Sequence, residues 1–192
     1  MTDRRNLDID LIDRFLNGDK GAFDTLMSAH EQRVFAICLR TLGDRQAALD
    51  ATQETFITVF RKADRYNATA AFSTWLYRVT VNTCYDYLRR QKRHRTEVLP
   101  ETHDPVDVAA GDEFTAVEIQ PAIENALAAL PDEFRAAVVL VDLHGFDLER
   151  AAEVLEVPVG TVKSRVYRAR RKLATQLGNF APSARHQTDE TS

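Results

Sequence analysis

Residues 146–173 read FDLERAAEVLEVPVGTVKSRVYRARRKL, and this stretch decides the fold class of the chain. Leu148, Ala151, Ala152 and Leu155 fall at i, i+3, i+4 and i+7, which places them on one face of a helix. The two alanines leave room for a second helix to approach closely. The pattern breaks from Glu156 to Gly160, where Pro158 carries a fixed φ suited to a helix's first turn. It resumes with Val162, Val166, Ala169 and Leu173 at i, i+4, i+7 and i+11. The opposite face of this second helix carries Thr161, Lys163, Ser164, Arg165, Tyr167, Arg168, Arg171 and Lys172. A short helix, a tight turn and a longer basic helix make a helix-turn-helix, whose second helix fits a DNA major groove. An ordinary helical hairpin with a solvated basic face has the same periodicity. DNA is favoured because Lys163–Lys172 is dense in Arg and Lys and contains no Asp or Glu. Small polar and planar groups interleave those charges, as base-edge readout requires.

Working outward, the chain has 192 residues, enough for one domain or two small ones with a buried core. Sparse Gly and Pro favour helices over sheet. No apolar run approaches the roughly 18 residues of a membrane span. MTDRRNLDID lacks the apolar centre of a signal peptide, so a cytoplasmic protein is expected. Cys38 and Cys84 have no near neighbour at metal-ligand spacing and are read as core or surface residues, with no metal and no cofactor expected. The formal net charge of -4 argues against a protein that coats DNA unaided. That charge is unevenly distributed. Arg or Lys fill five of the seven positions from Arg89 to Arg95, whereas Glu97–Glu118 holds seven carboxylates and no Arg or Lys. A basic, acidic, basic order suggests two nucleic-acid surfaces joined by a strap.

From the N-terminus, Leu11, Ile12, Phe15 and Leu16 share a face over Leu7–Asn17, with Gly18 as a stop. Asp19 can cap a long helix striped by Phe23, Leu26, Met27, His30, Val34, Ile37 and Cys38 up to Gly43. His30 in this stripe reads as a satisfied core residue, not a ligand. Asp44 can cap a third helix whose buried side is marked by Ala48, Ala51, Thr52, Thr55, Phe56, Val59 and Phe60. Asp50, Gln53, Glu54, Thr58 and Arg61 are left on its other faces. RYNATAA (65–71) reads as a loop, and a fourth helix starts at or beside Ser73 and ends in LRRQKRHR. The loop and helix are rich in aromatics (Tyr66, Phe72, Trp75, Tyr77, Tyr85, Tyr87) beside Arg89, Arg90, Lys92 and Arg93. Flat apolar faces next to cations suit unstacked bases and phosphates, although Trp75, Phe72 and Tyr87, each taken singly, read better as core. Residues 96–120 contain Pro100, Pro105 and Gly111 without strong periodicity and read as a flexible acidic linker. A second domain opens near Pro121, with Ile123, Ala126, Leu127 and Leu130 as one stripe and Asp132–His144 as a further helix. Residues 178–192 read as a polar disordered tail.

DATQETFITVFRKADRY (50–66), FSTWLYRVTVNTCYDYLRR (72–90) and ALPDEFRAAVVLVDLHGFDLERAAEVLEVPVGTVKSRVYRARRKL (129–173) follow in this order around the acidic stretch. Together they resemble a bacterial RNA polymerase sigma factor of the extracytoplasmic-function (ECF) group. The resemblance covers roughly Phe23–Arg95 and Ile123–Leu177. It implies an all-α chain of two small helical domains, sigma region 2 (1–95) and sigma region 4 (121–177), around the linker. It also implies a non-enzymatic factor that binds core RNA polymerase, recognises promoter DNA, opens the duplex and starts transcription of a stress-response regulon. Asp50, Gln53, Glu54 and Phe56 would dock on the polymerase's largest subunit. Trp75, Tyr77, Asn82, Asp86, Arg89 and Arg90 would serve melting and the single-stranded minus-ten element. Thr161, Lys163, Ser164, Tyr167 and Arg168 would face the duplex minus-thirty-five element, with Arg150, Arg165 and Arg171 as phosphate contacts. An anti-sigma partner, often membrane-anchored, is a further family expectation.

One departure stands out. The family often has a Gly and a carboxylate or Arg in the loop before the Trp-bearing helix, where this chain has Asn67-Ala68-Thr69-Ala70-Ala71. The minus-ten base preference therefore does not transfer. The competing reading is a free-standing helix-turn-helix regulator, which predicts a homodimer on palindromic sites. A protein-binding helical adaptor leaves the groups on the basic helix unexplained. An enzyme would want a phosphate loop, a metal cluster or an acid–base pair, none of which is recognisable in the sequence.

Overall fold

The computed structural model describes residues 2–97 and 116–178, and every regular element in them is helical. Helix α1 (Thr2–Leu16) begins earlier than the apolar pattern suggests and buries Leu11 and Ile12. Helix α2 (Lys20–Leu42) starts where Asp19 Oδ1 accepts the Ala22 N–H at 3.2 Å, and stops at Gly43, whose φ of 73° lets its N–H reach Leu39 O. Helix α3 (Arg45–Lys62) is capped in the same way by Asp44, which accepts from Ala47 N at 2.7 Å. Each such cap contributes about 1 kcal/mol. A single 3-10 turn (Ala63–Arg65) leads into the loop before α4 (Phe72–Glu97).

These four helices share a core in which Leu26, Val34, Ile37, Val59, Phe72, Leu76 and Val81 are all but inaccessible. Fully burying one such side chain stabilises the fold by about 1.5–3 kcal/mol. Buried threonines on α3 and α4 satisfy their hydroxyls locally. Thr52 and Thr55 donate to Ala48 O and Ala51 O at 2.7 Å, and Thr80 donates to Leu76 O at 2.9 Å. Phe60 departs from the expected buried side of α3. It packs against Phe15 and Phe23, each with ring centroids 5.1 Å away, yet stays 49 % exposed because nothing covers its outer face.

The second unit starts with α5 (Ala116–Ala128), five residues before the expected opening at Pro121. Pro121 lies inside this helix, where it has no N–H to donate to the preceding turn. Of the expected 96–120 linker, residues 98–115 lie outside the described residues, as does the expected tail from 179 on. Helix α6 (Asp132–Val138) passes into a π-helical turn, Val139–Leu143, in which His144 N reaches back to Val139 O at 3.0 Å. The expected single helix over 132–144 thus changes its winding midway. Helices α7 (Leu148–Leu155) and α8 (Val159–Leu177) complete the chain. The two units are packed on one another: Leu140, Phe146, Ala151 and Val154 belong to the same apolar cluster as Val34, Leu76 and Tyr77.

Candidate nucleic-acid interface

The helix-turn-helix forms as its spacing predicts. Asp147 Oδ1 caps α7 by accepting the Arg150 N–H at 2.7 Å, and Ala151, Ala152 and Val154 are buried. The turn is made by Glu156, a non-glycine residue with φ 53°, and by Val157 N donating to Ala152 O. Pro158 stands just before α8 as its N-cap, one position earlier than a first-turn proline. Val162, Val166 and Ala169 face inward. Lys163, Ser164, Tyr167, Arg168 and Arg171 are exposed, while Thr161 and Arg165 are half-buried. Tyr167 is 62 % exposed, with the Arg171 guanidinium 6.0 Å from its ring centre. Ser164 Oγ donates to Thr161 O at 2.9 Å, which fixes its rotamer while leaving lone pairs available.

Arg170, among these cations, is committed elsewhere. It makes a bidentate pair with Asp142, at 2.9 and 2.6 Å, and this hydrogen bonding raises its pKa. The pair ties α8 to the π-helical turn. Spacing gives no sign of it, because the two residues are 28 apart in sequence.

The second expected surface lies on α4 and the loop before it. Trp75 is half-buried against Tyr66 and Phe72, with ring centroids 5.7 and 5.9 Å away. Tyr66 Oη donates to Ala70 O at 2.9 Å, and Asn67 Oδ1 accepts from both the N–H and the hydroxyl of Thr69. Ala68 sits at φ 56°, an uncommon backbone region for a side-chain-bearing residue. Asn82, Asp86, Arg89 and Arg90 are exposed on the outer face of α4; Arg89 pairs with Asp86 at 3.3 Å. Tyr77 is different. Only 2 % exposed, it lies against Phe146 of the second unit and beneath Arg150, which is itself half-buried.

The third expected surface is on α3. Asp50, Gln53 and Glu54 are exposed and Phe56 is half-buried. Gln46 Nε2 donates to Asp50 Oδ1 at 3.1 Å. Leu49, Ile57 and Phe60 are 44 %, 37 % and 49 % exposed on the same helix, so the polar set stands in an apolar setting. Beside them runs a groove of about 470 Å³ between α3 and α4, lined by Asp50, Glu54, Thr83, Tyr87, Arg90 and His94.

Sequence reasoning placed His30 correctly in the core but missed its partners. Its Nε2 lies 3.1 Å from the buried Asp8 carboxylate and its Nδ1 3.4 Å from Tyr77 Oη. It also missed Arg135, 6 % exposed, which donates to Thr41 O, Ala128 O and Leu130 O at 2.7, 2.6 and 3.0 Å. Cys38 and Cys84, far apart in sequence, are both buried in the core, and their thiols lie in hydrogen-bonding contact. That contact, together with burial, holds Cys84 well above its usual pKa.

The Sigma-70 region 2 family model matches residues 26–94 and the Sigma-70 region 4 model matches residues 120–173. The ECF RNA polymerase sigma factor SigM of Mycobacterium tuberculosis is 39 % identical over 171 residues, covering 89 % of this chain and 85 % of that protein. This chain belongs to the ECF sigma factors. SigW of Bacillus subtilis, another ECF sigma factor, is 32 % identical over 83 % of this chain and 91 % of its own length. The fold is shared with solved structures: CnrH in complex with the cytosolic domain of CnrY has a TM-score of 0.65, with 24 % identity over 91 % of this chain and 96 % of that one. The sigma factor RpoE of Bartonella quintana, solved with the anti-sigma factor NepR, gives 0.66, with 24 % identity over 81 % of this chain and 96 % of that one. As an ECF sigma factor, the protein is an alternative sigma factor that directs transcription. Among the described residues no helix is long and apolar enough to cross a membrane.

Proposed function

We infer that this ECF sigma factor works without chemistry of its own, by placing three surfaces of one chain on core RNA polymerase and on promoter DNA in the cytoplasm. The α3 surface (Asp50, Gln53, Glu54, Phe56) docks on the polymerase. The outer face of α8 reads the duplex upstream element, with Lys163, Ser164, Tyr167 and Arg168 toward base edges and Arg171 toward phosphate. Asn82, Asp86, Arg89 and Arg90 on α4 hold the separated strand, with Trp75 and its neighbouring loop at the melting point. The observation that carries this reading is the exposed, carboxylate-free outer face of α8, coexisting with the exposed polar groups Asp50, Gln53 and Glu54 on α3. A stress-response regulon and control by an anti-sigma protein extend it by analogy with relatives, RpoE of Bartonella quintana having been solved with one.

The deciding experiment is run-off transcription with purified bacterial core polymerase and a genomic promoter pool, with and without the protein. New discrete starts sharing two upstream elements are expected. A protein that neither yields transcripts nor co-elutes with core would leave a free-standing DNA-binding regulator as the better account.

A further inference from the structure

Arg170 lies where the two faces of α8 meet. It follows Tyr167 by three residues and Lys163 by seven, so it stands in line with the edge of the exposed face that carries them. On its other side is the buried face: Val166 precedes it by four residues, and Ala169 is adjacent. That buried face is built of small apolar side chains. Ala169 shares a cluster with Leu127, Leu130 and Val138, while Val162 and Val166 join the core that holds Ala151 and Val154. Apolar burial of this kind is non-directional, so it fixes the depth of a helix better than its roll.

The Asp142 carboxylate supplies the direction. Arg170 Nε donates to Oδ2 at 2.9 Å and Nη2 donates to Oδ1 at 2.6 Å, a fork-on-fork pair that fixes orientation as well as distance. Asp142 reaches α8 from the π-helical turn, whose i→i+5 winding rotates it relative to Val138, the residue of α6 in the Ala169 cluster. The hydroxyls of Ser164 and Thr175, by contrast, donate within α8, to Thr161 O and Arg171 O. With Arg170 60 % exposed, the pair adds little to the stability of the fold, and its geometry is what it contributes.

We propose that Arg170, in the middle of the basic run, is a positioning residue and not a DNA contact: its fork on Asp142 sets the roll of α8, and with it the angle at which Lys163, Ser164, Tyr167 and Arg168 meet base edges. This deepens, and rests on, the reading of α8 given under Proposed function. Base readout requires several side chains to meet donors and acceptors in one groove together, so a small roll of the helix spoils all of them at once. Phosphate attraction is less demanding of angle, and Arg170 adds nothing to it while Asp142 neutralises its charge. The pair therefore acts on specificity and leaves sequence-independent affinity alone.

The test uses holoenzyme assembled from the full-length protein and purified bacterial core polymerase. The probes are a labelled promoter duplex recovered by run-off transcription and the same duplex with its upstream element scrambled. The ratio of their two dissociation constants measures reading by α8. Asp142→Asn and Arg170→Gln each break the fork, and Arg170→Lys keeps the charge without the planar pair of donors. All three should lower the ratio by about five- to tenfold, the weight of one base contact met imperfectly. Affinity for the scrambled duplex and co-elution with core should not change. The double variant Asp142→Asn with Arg170→Gln should lose no more than either single variant, because both act through one pair. The log–log salt slope should be unaltered in Arg170→Gln and shallower by about 0.9 in Arg171→Ala. Asp142→Asn discriminates most sharply. If Arg170 were a phosphate contact held aside, its release would tighten binding to both duplexes and steepen the slope, and that result would overturn the proposal. A wild-type ratio in Arg170→Lys would overturn it too, as would equal losses on both duplexes, which mark a folding defect. A wild-type holoenzyme without preference between the duplexes would remove the reading of α8 and this inference with it. A wild-type preference that the variants leave intact would sink the positioning role alone.

Discussion

Arg135→Met tests what the buried guanidinium at the meeting of the two units contributes. The wild-type side chain is 6 % exposed and donates to Ala128 O and Leu130 O at the end of α5 and to Thr41 O at the end of α2. Its nearest carboxylate oxygen, on Asp132, lies 3.8 Å away, so carbonyl oxygens provide most of its compensation. Burial depresses its pKa, with Asp132 opposing, so part of each hydrogen bond offsets desolvation. Methionine fills much of the volume but strands three buried acceptors, each costing about 1–3 kcal/mol when left unpaired. An adjoining cavity of about 20 Å³ has room for a single water, which can serve one or two of them. The net loss comes to about 3 kcal/mol, a fall of about 6–12 °C in the melting midpoint for a domain of this size. The assay is a thermal melt followed by far-ultraviolet circular dichroism, with Arg170→Met as the matched control. Arg170 is 60 % exposed in its pair with Asp142, so that variant should cost less than about 1 kcal/mol. Equal shifts in the two variants would refute the assignment of Arg135 as a buried cap.

Other outcomes follow from the same structure. Tyr85 is pushed up to about 12, chiefly by burial. Its unfolded counterpart ionises near pH 10, so stability should fall between about pH 10 and 12 as the unfolded chain alone releases the proton, with a slope near 1.4 kcal/mol per pH unit. Tyr85→Phe should flatten that decline in denaturant titrations, and an unchanged slope would assign it to other groups. Arg168→Ala should cut promoter-specific run-off transcription severalfold with core binding retained, whereas Asp50→Ala should weaken co-elution with core; exchanged phenotypes would reverse the two surface assignments. Cys38 and Cys84 should resist a thiol reagent in the native protein and react together on unfolding, so stoichiometric labelling of the native state would contradict their burial.

The helices were legible wherever two signals coincided. Asp19 and Asp44 each precede an apolar stripe, and both cap as expected, because an N-cap needs only a short acceptor at one position. Phe60 departs from its expected burial because periodicity reports a helix's apolar face without reporting whether anything covers it. Pro121 reads as an opening because proline breaks more helices than it enters, yet α5 continues across it. The exposed side of α8 was readable from local charge and spacing. The relation between α4 and α7 was not. Ser73 and Arg150 lie 77 residues apart, and the apolar and small residues that bring them together are individually unremarkable. Arg135 was hidden for a similar reason: its acceptors are backbone carbonyls, which leave no complementary residue in the sequence to match it.

The charge distribution acquires a second meaning once the packing is known. Basic groups of the first unit meet acidic groups of the second in Arg40–Glu124, Arg78–Glu156 and Lys92–Asp132, at 3.4, 3.0 and 2.7 Å. Two of these six side chains lie more than half exposed, those of Arg78, Arg40 and Glu124 keep 31 %, 35 % and 44 %, and Asp132 is at 22 %, so salt weakens all three pairs. The same salt weakens binding of single-stranded DNA in proportion to the phosphates neutralised, by about 0.7 per phosphate on a log–log scale. The two effects coincide in the free protein: screening loosens the pairs that join the two units while it penalises a bound strand. A net charge of -4 adds repulsion toward DNA at long range. Free protein is thus held from promoters by net charge, and salt that relieves this repulsion also weakens the pairs that join the two units.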